Sequence, residues 1–186
     1  YIEISHYNIP IYKNLYTNIL FFFSTYFFYV IPFLLDKETF SKFIIYVKKN
    51  FIYFIIILFL FFLINETNKQ ISFGGGGFNQ LLLRFNLENY IIIFSALGFL
   101  GHFFLTNKKV VFNLAILIVL IIQTCLNFYF FQKYIDLIFI IYFFLIFKIN
   151  YLEILIRKKS FINNIIIFYV VYYIITAIFR LDKILI

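Results

Sequence analysis

A chain of 186 residues is long enough for one soluble domain, but 65% of it is hydrophobic and its mean hydropathy is +1.00. Soluble domains are only about half apolar and have too little interior to hide this composition, so a soluble globular fold is excluded and a polytopic membrane chain is expected. The net charge of +8 falls in short segments beside apolar runs; that pattern orients helices and meets anionic lipid headgroups, and it does not describe a nucleic-acid-binding face.

The chain begins at Tyr1 and contains no Met, which predicts a piece of a longer protein. Ile, Phe, Tyr, Asn and Lys, all with AT-rich codons, dominate, so aromatic clusters are first read as composition and not as binding boxes. The single cysteine, Cys125, lies in an apolar run and forms no intrachain disulfide.

Six apolar runs occur in order, each near the roughly 20 residues that a bilayer crossing requires. They cover 15–35, 43–64, 90–105, 110–131, 134–147 and 161–179. Pro32 lies in the last turn of the first, and Lys48 and Lys49 enter the second with stems long enough to snorkel. The third and fifth runs are short. The runs are apolar on every face, whereas barrel strands alternate, so the expected fold class is all-α: a polytopic transmembrane helix bundle of about six spans forming one region over 1–186. Ten of the 16 Lys and Arg residues fall in segments 36–50, 106–109 and 148–160, which places those segments in the cytoplasm and 65–89 on the opposite face.

Segment 65–89 is the only long connection. Gly74, Gly75, Gly76 and Gly77 stand in a row, which no stable helix interior accommodates. Phe78, Leu81, Leu82 and Phe85 come next at helical spacing on one side, the pattern of a short helix lying on the membrane surface. A glycine run ahead of a helix leaves backbone N–H groups free to receive a phosphate. It is neither a P-loop, since no Gly-Lys-Ser/Thr succeeds it, nor a dinucleotide fingerprint, since no strand precedes it; the alternative is a plain flexible loop. Asn65-Glu66-Thr67 forms a glycosylation sequon close to the membrane.

Gln132, Lys133, Tyr134 and Asp136 form the turn between the fourth and fifth runs, on the same predicted face as the glycines. Lys133 and Asp136 are spaced to pair on one helix face, and ionisable groups at a span end invite a functional reading beside that of an interfacial anchor. His102 is expected at the cytoplasmic boundary of the third run. His6 has no second His or Cys at ligand spacing, so no metal site is expected, and no cofactor. Glu66, Arg84 and Glu88 are expected to be solvated loop charges. Gly98 and Gly101, with Ala96, make a small-residue patch suited to close helix contact, and Asn113, Gln123 and Thr124 are suited to interhelical hydrogen bonds. No run carries a charge at its centre, which argues against a proton pump, voltage sensor or ion channel.

The polar loop 65–89, the Phe/Ile-rich spans and a Lys133-Tyr134 pair opening a late span resemble the later half of multi-span lipid-linked glycosyltransferases of the GT-C superfamily, the dolichyl-phosphate-glucose glucosyltransferase type in particular. The resemblance covers about residues 50–180 and departs from the family after the pair, where Asp136-Leu137 stands without the family's Pro. It implies sugar transfer from a polyprenyl-phosphate sugar on the non-cytoplasmic face, with an acidic general base upstream of these spans and Lys133 or Arg84 holding the donor phosphate. The membrane expected is a bacterial inner membrane or that of the endoplasmic reticulum, and the partners expected are membrane lipids and the lipid-linked sugar. The alternatives are a transporter or flippase-like subunit, which needs broken helices and polar groups at the midplane, and a non-catalytic membrane scaffold.

Overall fold

The computed structural model describes residues 11–67, 78–79, 81–82, 85–87, 89–106, 110–125 and 158–184. The described residues are helical apart from short connections: α1 (Ile11–Leu34), α2 (Lys37–Lys49), α3 (Phe51–Thr67), α4 (Tyr90–Leu105), α5 (Val110–Cys125) and α6 (Lys159–Ile184). The predicted fifth run, 134–147, lies outside them.

Helix α1 is the axis of the bundle. Every residue from Leu20 to Val30 is buried, and α4 lies along it more extensively than any other helix. The approach is close because α4 offers small residues there. A Cβ built on Gly98 would stand 2.0 Å from the Phe23 carbonyl oxygen and 3.1 Å from the Phe27 nitrogen, so the two backbones nearly touch. Gly101 faces the Val30 side chain, and Ala96 is fully buried. Small residues at a helix–helix contact let two backbones approach this closely.

The predicted run 43–64 divides into two helices. Asp36 caps α2: its carboxylate accepts from the Thr39 N–H at 3.0 Å and the Thr39 hydroxyl at 2.9 Å. Glu38 in the first turn and Lys48 and Lys49 in the last match the helix dipole. Asn50 then ends the helix, its side-chain amide donating to the Tyr46 carbonyl at 2.8 Å. Helix α3 leaves at 80° to α2. A uniform apolar count passes over this break because Ile44, Ile45 and Val47 continue the hydropathy into α3, while the capping groups at each end of α2 are local and polar.

Each contact to α1 gives a direction. Ser95 and His102 of α4 meet Leu20 and Tyr26 in the same order, so α1 and α4 run parallel. Helix α5 runs the other way, from Asn113 beside Thr106 to Cys125 beside Asn18. Helix α6 also opposes α1, starting with Lys158 at Asp36 and packing Phe168 and Tyr172 on Phe28. Helix α2 lies across the end where α1 stops, with Phe43 and Tyr46 on Phe104 near the end of α4.

Among the described residues one helical stretch, Leu15–Leu34, is long and apolar enough to cross a membrane, and α2 with α3 would be a second if the bent pair is one span. The 16 residues of α4 rise only about 24 Å, short of a hydrocarbon core of about 30 Å.

Candidate functional site

The residues singled out from sequence, Gly74, Gly75, Gly76, Gly77, Arg84, Gln132, Lys133, Tyr134 and Asp136, lie outside the described residues, as do His6 and Glu88. The segment just after the glycines is described in part. Residues 78–79 and 81–82 are helical and lie inside the bundle, not on its surface. Asn79 is fully buried and Leu82 nearly so. The surface helix expected there is thus corrected: the Phe78 ring sits between Phe28 and Phe94, at centroid distances of 5.0 and 5.8 Å. The piece ends in a turn where Asn86 takes a left-handed φ of 54° and the Leu87 N–H bonds back to the Leu82 carbonyl at 2.8 Å, the Schellman arrangement.

Asn79 is held by three partners on α1. Its amide donates to the Thr25 hydroxyl at 3.0 Å and the Phe21 carbonyl at 3.3 Å, and its oxygen accepts a short hydrogen bond from the Ser24 hydroxyl. Ser24 and Thr25 lie half-way along Leu15–Leu34. A segment joining the ends of α3 and α4 therefore reaches the middle of the bundle.

Asn79 belongs to a seam of buried polar groups along α1. Ser95 shares its hydroxyl proton between the carbonyls of Leu20 at 2.8 Å and Ile91 at 2.7 Å. Tyr26 and His102 meet at 3.2 Å through the phenol oxygen and Nδ1; in the tautomer protonated at Nε2 the phenol donates. His102 lies in the last turn of α4, the end expected from sequence, but it is fully buried between α1 and α4 and not exposed at an interface. Beyond it, the Thr106 hydroxyl donates to the His102 carbonyl at 2.9 Å and accepts from the Asn113 amide at 2.7 Å. Asn18 closes the other end, donating to the Cys125 carbonyl at 3.1 Å.

Among the described residues the seam consists of hydroxyls, amides and one imidazole, without a carboxylate or a lysine. Such groups bind helices to one another and can hydrogen-bond a neutral hydroxylated solute. No group of three or more His, Cys, Asp or Glu residues that could hold a metal occurs among the described residues.

Charge gathers at the α2 end. Lys158, ahead of α6, pairs with Asp36 at 3.3 Å and Glu38 at 3.2 Å, and Lys42 pairs with Glu38 at 2.6 Å. Burial alone would raise the Asp36 carboxyl, but the Thr39 N–H and hydroxyl and Lys158 together outweigh it and hold the group below its ordinary value. Hydrogen bonds from Lys42 and Lys158 lower Glu38 likewise, and Glu38 and Asp36 raise Lys158 against its partial desolvation.

Sequence reasoning passed over Ser24, Thr25, Tyr26, Asn79 and Ser95. The visible sign was Ser24-Thr25 breaking an aromatic stretch from Phe21 to Phe28. No family model matches the chain, and no similar curated protein or solved structure was found.

Proposed function

We propose that this chain is a multi-pass integral membrane protein with its working face at the end opposite α2. The outward faces of the peripheral helices support the first part. Ile52 on α3, Val119 on α5 and Ile167 and Tyr173 on α6 are at least 60% exposed, while Asn18, Ser24, Asn79 and His102 are buried completely. A protein folded against water inverts this arrangement; one folded against lipid requires it. The Lys-bearing α2 and Lys158 share one end, in keeping with a cytoplasmic side there. Cys125 and Lys158 lie at opposite ends of the bundle, as a crossing at 134–147 between them demands.

For the activity we propose sugar transfer from a polyprenyl-phosphate-linked donor on the non-cytoplasmic face. The reading rests on the GT-C resemblance, and the observation that carries it furthest is the seat of Asn79. That contact holds the segment after the glycines at mid-bundle, and the segment leads on to the start of α4, at the end where α5 stops, which is the side the reading assigns to both the glycine run and the turn at 132–136. A loop tethered in this way to the bundle is what holding a lipid-bound donor phosphate needs. Catalysis would draw its acidic base from residues outside these helices.

Single cysteines replacing Gly75, Lys108 and Lys133 in a Cys125→Ser background test the shared face by labelling with an impermeant thiol reagent in intact cells. Labelling at Gly75 and Lys133 but not Lys108 is expected. A split between Gly75 and Lys133 removes the composite site. If they share the face, membranes bearing the full-length protein should transfer radiolabelled sugar from a polyprenyl-phosphate donor, and Lys133→Ala should lower that transfer at least tenfold, about the strength of one charge-assisted phosphate contact.

A second reading, a transporter or flippase-like subunit, is favoured by one observation: Ser24, Thr25 and Asn79 put polar groups at mid-depth, with Tyr26 and His102 further along, beside a helical segment that enters from one face. Solute uptake into vesicles without sugar transfer would select it.

A further inference from the structure

We infer that α2 lies flat on the cytoplasmic leaflet and binds anionic phospholipid headgroups through Lys37, Lys48 and Lys49; this rests on the membrane reading above. The first observation is direction. Helix α2 meets α3 at 80°, so if α3 crosses the bilayer α2 lies nearly in its plane. The second is the division of its surface. Thr39 and Phe43 are buried, and Phe43 and Tyr46 pack on Phe104. Beside that packed strip, Phe40 remains about half exposed with the partly buried Ile44 one turn on, and Ile45, between the directions of Lys48 and Lys49, is more exposed still. Lys37, Ser41 and Lys48 share the face opposite Thr39, Phe43 and Tyr46 and border the Phe40–Ile44 flank, since residues four and eleven apart nearly coincide in direction on a 3.6-residue helix; Lys49 stands about 100° round from Lys48.

The third observation is charge. The two acids of this region, Asp36 and Glu38, are taken up by Lys158 and Lys42. Lys37, Lys48 and Lys49 are exposed and make no ion pair among the described residues. Three uncompensated cations above an apolar flank match an anionic headgroup layer with acyl chains beneath it. Phe40 and Ile44 enter the boundary with the chains, and the lysines stand at the phosphates.

Full-length protein reconstituted in phosphatidylcholine vesicles, with trace phosphatidylcholine or phosphatidylglycerol spin-labelled on the acyl chain, tests this by electron paramagnetic resonance. The protein should immobilise phosphatidylglycerol in preference to phosphatidylcholine, and raised salt should reduce the preference. The triple variant Lys37→Gln, Lys48→Gln, Lys49→Gln should cut the preference by at least about fivefold, the effect of losing even one lysine at an anionic surface. Its immobilised phosphatidylcholine fraction should stay unchanged, which shows that the bundle still folds. Equal immobilisation of both lipids by the wild type overturns the proposal and leaves the membrane reading intact. So does a preference that survives the triple substitution; the lysines would then be free for an acidic protein partner. No immobilised lipid of either kind overturns the membrane reading itself.

Discussion

Two glycines one helical turn apart on α4 differ in their surroundings, and the difference is measurable. At Gly98 an added methyl meets the α1 backbone, with the Phe23 carbonyl oxygen at 2.0 Å, and backbone cannot rotate away. Gly98→Ala should therefore force α1 and α4 apart and destabilise the protein by roughly 1–3 kcal/mol, as overpacking does. At Gly101 the nearest atom is a Val30 methyl at 3.2 Å, which has room to give by a few tenths of an ångström. Gly101→Ala should shift the unfolding midpoint in detergent less than Gly98→Ala; equal shifts would contradict the backbone approach. The acidic pair at the α2 end has a pH signature. Asp36 and Glu38 are held below their ordinary values, so their contribution is complete above the usual carboxylate range and is lost as pH falls through the lowered values. Lys158 is held above 10.5, so its contribution is complete below that pH and is lost as pH rises through the raised value. Wild type and Lys158→Gln should thus differ in unfolding temperature at neutral pH and converge on acidification below the carboxylate range.

At the scale of elements, the segment after the glycine run and the α2–α3 break are where local sequence and packing part company. Asn79→Ala removes an amide that satisfies three groups of α1, and should weaken the seat by about 1–2 kcal/mol, in the range of hydrogen bonds between membrane helices. The expected result is faster hydrogen exchange over residues 78–82 with α4 unaffected; unchanged exchange would mean that Phe78 between Phe28 and Phe94 holds the segment by itself. The existence of α1 and α4 was legible in their apolar runs, and the contact at Gly98 and Gly101 in their small residues. The seat of Asn79 was not. The spacing of Phe78, Leu81, Leu82 and Phe85 describes a one-sided helix, and the same pattern serves a lipid surface or a groove between helices. The break at Asn50 was hidden for a related reason. Hydropathy sums over a window, while helix ends depend on single caps such as Asp36 and Asn50.

For the whole molecule, the helical class could be read from the apolar runs, because composition and hydropathy act independently of how the runs pack. The sequence also marked the Lys-bearing segments that the structure gathers at one end, in α2 and Lys158. Tertiary structure alone decided which helix is central and which polar groups meet. Helix α1 carries Asn18, Ser24, Thr25 and Tyr26, and their partners Cys125, Asn79 and His102 lie 54 to 107 residues away in the chain. No local pattern encodes such pairs: the requirement that buried polar groups find partners is met across the bundle, by whichever helices the small residues of α4 allow to approach.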